Sequence, residues 1–265
     1  MSTFQRNPQS DQDTMPEIIS IHSYRRGTGK SSLAANLAVL FAAAGKRAGL
    51  IDAALHSPSL HLAFGLESPQ TRYSLDDYLE RKCEIEQTVR DLSDQLNANL
   101  PGKVFLIPAD MKPNRHLVQR EYSGERMENG ILEASEILNI DYLLIDTPSG
   151  INDNALLSMA ICDTLVEILR LDQQDYQGAA VVIELARKLA IPHILLVANF
   201  VTKTYQPKEV KAKLQQSYGF DVAAILPISE DMLDSSVKDI FVLAFPQHPL
   251  TLALQSLVEA LESVR

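Results

Sequence analysis

Apolar positions along the chain fall into two alternating kinds of run. The first kind is short, nearly continuous and rich in β-branched residues: 18–23 (IISIHS), 47–52 (RAGLID), 140–146 (IDYLLID), 163–171 (DTLVEILRL), 193–201 (HILLVANFV) and 221–228 (DVAAILPI). Runs of that length, apolar at consecutive positions, predict strands buried on both faces. The second kind carries apolar residues at helical spacing. Leu33, Leu37, Leu40 and Phe41 mark it in KSSLAANLAVLFAAAGK, with Gly45 as the stop. GAAVVIELARKLA, KEVKAKLQQSYG and LTLALQSLVEALESV repeat the pattern. Strands alternating with helices predict an α/β fold, a doubly wound and mostly parallel sheet with helices on both faces. Residues 67–102 are more polar and predict a helical excursion at one sheet edge.

With 265 residues, 46% of them hydrophobic, the chain can bury one large core. Residues 17–265 read as a single domain. Residues 1–16 are polar and acidic with no apolar core, so they read as a disordered tail and not as a secretory signal. No run of about 18 apolar residues occurs, so no spanning helix and a cytoplasmic location are expected. A net charge of −10 argues against nucleic-acid binding except at a local basic patch. Cys83 and Cys162 have no paired spacing and no neighbouring histidines, which argues against a disulfide scaffold or a zinc site. Glu167 interrupts an apolar run, where an unpaired charge is costly; an edge strand or a charge partner would explain it.

The chemistry gathers in YRRGTGKSS, residues 24–32, between the first strand and the first helix. Gly27 and Gly29 let backbone N–H groups close on phosphate oxygens. Lys30 would reach the β- and γ-phosphates, the Ser31 hydroxyl would ligate Mg²⁺, and the helix N-terminus adds partial positive charge. The glycine that the full consensus places at Tyr24 is missing.

RRGTGKS aligns without a gap on the deviant loop K-G-G-x-G-K-[ST]. LIDAALHSPSLHLAFGL resembles a D-x-D-x-x-x-P-S segment, and YLLIDTPSGI resembles a second acidic strand with its switch. LLVANF and LPISEDM complete the set. From about Ile18 onward the chain thus resembles the deviant-loop ATPases of the ParA/MinD family, including the carboxysome-distributing McdA kind, which also lacks the signature lysine. The resemblance implies ATP and Mg²⁺ as cofactors. It implies phosphate contacts from Arg25, Arg26, Gly27, Thr28, Gly29, Lys30, Ser31 and Ser32. It gives Mg²⁺ to Ser31, Asp52 and, through water, Asp146, and flanks the adenine with Asn199 and Pro227. Lys30, Asp52 and Asp146 would form the catalytic set of a homodimer that sandwiches its nucleotides.

Two departures change that picture. Arg25 stands at the signature lysine that reaches the partner's nucleotide, keeping the charge and adding a planar fork. Arg26 replaces a glycine, which strains the loop if φ is positive there and otherwise points outward. Ala54 stands where the family's second aspartate positions the attacking water, so slow or absent hydrolysis is expected. His56, two residues on, is aimed by nothing in the motif.

The family's membrane-binding branch carries a basic C-terminal helix. Here that helix holds Glu259 and Glu262, and its apolar positions read as core. The DNA-coating branch fits better. Lys203, Lys208, Lys211 and Lys213 lie close in sequence, and Lys208 and Lys211 share a helix face. The implied function is a nucleoid-associated positioning ATPase that uses non-specific DNA and a ParB- or McdB-type adaptor. The alternatives are an ATP-locked scaffold that does not hydrolyse and a MinD-like division regulator. Metallochaperone and nitrogenase-reductase relatives need an interfacial cysteine pair, which the sequence lacks.

Overall fold

The structure is a computed structural model that describes residues 15–66, 73–96, 98–110, 123–233 and 240–265. The expected tail lies outside the described residues except for Met15 and Pro16. Strand β1 (Glu17–His22) is buried along its whole length, and a seven-residue loop leads from it into helix α1 (Lys30–Ala43). Strand β2 (Arg47–Asp52), helix α2 (Leu60–Ala63), helix α3 (Leu75–Leu79) and a 3₁₀ turn (Ile85–Thr88) follow. Then come β3 (Arg90–Asp91), β4 (Lys103–Ile107), α4 (Gly124–Ile137), β5 (Tyr142–Asp146), α5 (Asp153–Ala160) and β6 (Thr164–Leu169). The described chain ends with α6 (Gln173–Lys188), β7 (His193–Val201), α7 (Pro207–Tyr218), β8 (Asp221–Pro227), α8 (Glu230–Leu233), α9 (Phe241–Ala244) and α10 (Pro249–Val264).

The strands form one eight-stranded sheet in the order β3-β4-β2-β5-β1-β6-β7-β8. Every pairing is parallel except β3 with β4. Parallel neighbours need crossovers, and the helices supply them on both faces. Alternate side chains of β1 show the division. Ile19 and Ile21 pack in the core beneath α1, α9 and α10, whereas Ile18 faces the core beneath α4, α5 and α6. A third cluster joins Leu196 and Ala198 of β7 to Val210 and Leu214 of α7.

The six expected strands are present. β4 was not anticipated, although KVFLI carries the same β-rich signature. It pairs with β2 and puts the polar excursion of residues 73–102 at the β3 edge of the sheet. Helix α1 is buried nearly all round, not on one stripe, because α10 covers the side that the sheet does not. Helix α10 turns Leu250, Leu254, Leu257 and Leu261 into the core, in line with its expected role. Among the described residues no helix is long and apolar enough to cross a membrane. The strand order reverses at β1, and loops at the carboxyl end of such a switch point form a crevice open to ligands.

Candidate nucleotide site

The loop after β1 is built around the Ser23 hydroxyl. It donates to the Arg25 carbonyl at 2.7 Å and receives the Thr28 hydroxyl at 2.7 Å and the Lys30 ammonium at 3.0 Å. Lys30 also donates to the Ser149 hydroxyl, which lies in the loop after β5. Gly27 and Gly29 take φ values of +72° and +94°, a backbone that glycine adopts without a Cβ clash. Gly29 is the N-cap of α1, so the first helical N–H groups open toward the crevice. Thr28 is buried with its hydroxyl on Ser23, so its side chain forms the loop floor. Burial lowers the Lys30 pKa, and the nearby Asp146 and Glu167 oppose that shift.

Asp52 and Asp146 end adjacent parallel strands in register. Asp52 is enclosed by backbone donors. Its Oδ2 accepts from Ser59 N–H at 2.9 Å and Leu60 N–H at 3.1 Å, and its Oδ1 accepts from Ala54 N–H at 3.2 Å. Burial raises the Asp52 pKa against the pull of those amides. Asp146 accepts the Ser31 hydroxyl on Oδ2, while its Oδ1 is buried with no hydrogen-bond partner among the described residues. The Asp146 carboxyl is pushed up to about 7, by burial first and then by the Asp52 carboxylate beside it. The Ser31 and Ser59 hydroxyls touch at 2.5 Å. An orphaned carboxylate oxygen next to two hydroxyls is an all-oxygen donor set of the kind Mg²⁺ takes. Of the two carboxylates expected at a metal, only Asp146 has an oxygen free of protein donors; Asp52 instead anchors the segment from Ala54 to α2.

Glu167 lies on the central strand β6 and is fully buried, so an edge position does not explain it. Among the described residues neither of its oxygens closes a hydrogen bond, although the Tyr24 N–H lies close enough to favour the charged form. Burial pushes its carboxyl well above the usual range, and Lys30 is the cation that opposes this. Its register neighbour His22 is buried and lowered to about 3, by burial first and then by Lys30, so it is neutral. Thr147 donates its hydroxyl to the Ile21 carbonyl and therefore accepts from His22 Nδ1–H at 2.7 Å.

The arginines behave differently from each other. Arg26 is exposed and is not among the residues with positive φ, so it points outward without strain. Arg25 Nη1 binds its own chain: Asp172 Oδ1 at 2.9 Å and Oδ2 at 3.1 Å, and Asp175 Oδ1 at 3.3 Å. Arg170 shares the same two acids. Tyr24, on the other side of Arg25, packs on Gly178 of α6, where a Cβ would come within 2.3 Å of its ring.

Asn199 and Pro227 stand at the ends of β7 and β8. Asn199 Nδ2 donates to the Thr28 carbonyl at 2.8 Å, and its Oδ1 accepts from Phe200 N–H. A small cavity of about 70 Å³ lies beside it, lined by Ser32, Leu33, Phe200, Leu226, Met232 and Leu254 among others. His56 is exposed, whereas Ala54 is only 7% exposed. Lys203, Lys208, Lys211 and Lys213 are all exposed. Lys208 and Lys211 line a groove beside β8, but Lys213 turns to the other flank of α7, with its ammonium 5.3 Å from the Tyr176 ring centre. The four lysines therefore do not form one face.

Sequence reasoning missed Ser23 and Ser149 as partners of Lys30, Ser59 as a partner of Ser31, and the Asp172–Asp175 pair that holds Arg25. Only Ser59 carried a signal, from its place in the HSPSLH segment.

The sequence model of the family described as ParA, NUBPL iron-transfer P-loop NTPase, matches residues 14–262. An uncharacterized ATP-binding protein of Methanocaldococcus jannaschii is 29% identical over 198 residues, 75% of this chain and 69% of that protein. A chain of the MinC:MinD cell division protein complex of Aquifex aeolicus superposes with a TM-score of 0.77 at 22% identity, covering 93% of this chain and 96% of that one. The ATP complex of Cyanothece McdA(D38A) superposes with a TM-score of 0.74 at 17% identity, covering 95% and 96%. With a family match spanning almost the whole sequence and MinD and McdA as neighbours in fold, the chain belongs to the ParA/MinD family of P-loop NTPases.

Proposed function

We propose that this chain is a Mg·ATP-dependent switch that dimerises around bound nucleotide and positions a cellular cargo, with weak hydrolysis. The observation that carries the reading is the buried, unpartnered Asp146 Oδ1 beside the Ser31 hydroxyl, one turn from a loop whose lysine rests on neutral hydroxyls. Ser31 and Asp146 would hold Mg²⁺, and the N–H groups of Gly29, Lys30, Ser31 and Ser32 would hold the phosphates. Mg²⁺, when bound, neutralises charge on the phosphate oxygens and on the Asp52–Asp146 pair. Lys30 sits on Ser23 and Ser149, partners that a polyphosphate outcompetes for an ammonium. Its contact with Ser149 ties the loop after β5 to the occupancy of the loop after β1.

Ala54 carries no group that positions water, and such groups contribute typically about 10²- to 10⁴-fold in rate. His56 is exposed to solvent. The expected outcome is ATP binding with turnover near background, and Ala54→Asp raising phosphate release substantially. Brisk release by the wild-type chain, or no gain from Ala54→Asp, would show that the water is handled elsewhere. Ala54 also favours a second reading, an ATP-locked scaffold that acts by binding alone. Turnover measured with and without DNA separates the two, because a positioning ATPase is stimulated and a scaffold is not. Salt-sensitive DNA contact would come from the exposed Lys203, Lys208 and Lys211 of a dimer, and the cargo would be reached through an adaptor.

Iron transfer, the activity that the family's description names, finds no support in the cysteines of this chain. Cys83 and Cys162 are both buried and free, and burial pushes the Cys162 thiol up to about 12, so neither offers a thiolate to a cluster.

A further inference from the structure

The end of β7 is irregular. Its register with β8 slips between Ala198 and Val201, and Phe200 takes φ +56°, a left-handed backbone that a bulky residue rarely adopts. A bulge of this kind re-aims a side chain. Here the re-aimed side chain is Asn199, only 9% exposed, whose Nδ2–H reaches the Thr28 carbonyl across 171 positions of sequence at 2.8 Å. Its Oδ1 accepts the Phe200 N–H at 2.8 Å, which fixes the amide's orientation, since a carbonyl only accepts and an N–H only donates. The contact is tight on the loop side as well. A Cβ on Gly29 would lie 2.5 Å from Asn199 Nδ2, so a side chain there would push the amide aside, and φ +94° strains one in any case. Thr28 has no slack of its own, because its side chain is bonded to Ser23 beneath it.

We propose that Asn199 is a positioning residue for the phosphate loop: it fixes the peptide between Thr28 and Gly29, and with it the N–H groups that receive the polyphosphate. The inference rests on the nucleotide reading above but gives Asn199 a different task from base contact. The adjoining cavity wall is largely apolar, with Phe200, Leu33, Leu226, Met232, Leu250 and Leu254, and suits a base held by packing.

Inorganic tripolyphosphate separates the two tasks, because it has phosphates and no base. The experiment measures affinity for Mg·ATP and for Mg·tripolyphosphate in the wild-type chain and in Asn199→Ala. Loss of one buried hydrogen bond that shapes the loop should weaken both ligands in parallel, by about 5- to 100-fold. A fall for ATP with tripolyphosphate unchanged would overturn the proposal and make Asn199 a base contact. Unchanged affinity for both would also overturn it. Asn199→Leu, which keeps the branching at Cγ while removing both hydrogen bonds, should reproduce the parallel loss and serves if the alanine variant folds poorly. Melting temperature without ligand is followed alongside, since a purely structural role lowers it without moving affinity. A wild-type chain that binds neither ligand would sink the nucleotide reading itself, and this inference with it.

Discussion

At the scale of single residues, the site gathers buried acids whose neutral forms burial favours. Asp146 is the clearest case. Its folded-state pKa of about 7 stands above the ordinary 3.8, so the folded form keeps its proton where the unfolded chain has lost it. Below the ordinary value both forms are protonated and Asp146 contributes nothing. As pH rises toward 7 the unfolded chain ionises first, and stability is lost through that window. Asp146→Asn should therefore leave stability unchanged near pH 4 and raise it near pH 8, by on the order of 2–4 kcal/mol in the absence of Mg²⁺. Urea unfolding at the two pH values checks this, and a variant that gains nothing at pH 8 would mean the buried carboxylate is solvated or paired. The same residue was legible in the sequence as a carboxylate ending an apolar run. Its orphaned oxygen was not, because that depends on Ser31 taking one side of the carboxylate and on β2 bringing Asp52 to the other.

At the scale of elements, helix α6 governs the loop more than its sequence suggested. Asp172 caps α6 through the Gln174 and Asp175 N–H groups and binds Arg25 at the same time. The residue expected to cross to a partner is therefore held by its own chain. Asp172→Asn separates the two roles, since asparagine caps a helix about as well as aspartate while losing the charge. The pair is partly exposed, and such pairs contribute about 0.2–1 kcal/mol. If Arg25 serves the partner's phosphates, this substitution should lower the protein concentration for ATP-driven dimerisation, by about 2- to 5-fold. Concentration-dependent sedimentation in Mg·ATP reads it, and an unchanged or weaker dimer would leave Arg25 as an intrachain brace. Strands were legible because parallel pairing buries both faces and demands continuous apolar runs. β4 escaped because a single five-residue run beside a polar excursion looks like part of it. The Arg25 brace escaped because DQQD lies 147 positions from the loop and reads as a plain helix cap.

At the scale of the molecule, sheet order explains why one crevice gathers these pieces. β1 lies between β5 and β6, so its loop meets Ser149 from one side and the N-terminus of α6 from the other. Exposed apolar side chains stand near that crevice, with Tyr24 at 42%, Ile151 at 44% and Leu62 at 69% exposed, on the loop after β1, the loop after β5 and α2. A second copy seated over the nucleotide would cover them and bring its own phosphates and cations into reach. If the proposed switch is right, ATP and not ADP drives this assembly. Sedimentation velocity of the wild-type chain in Mg·ATP and in Mg·ADP tests it most directly. A dimer should persist in Mg·ATP, because Ala54 leaves the γ-phosphate in place, and a monomer should form in Mg·ADP. The same sedimentation coefficient in both nucleotides, whether monomer or dimer, would contradict it.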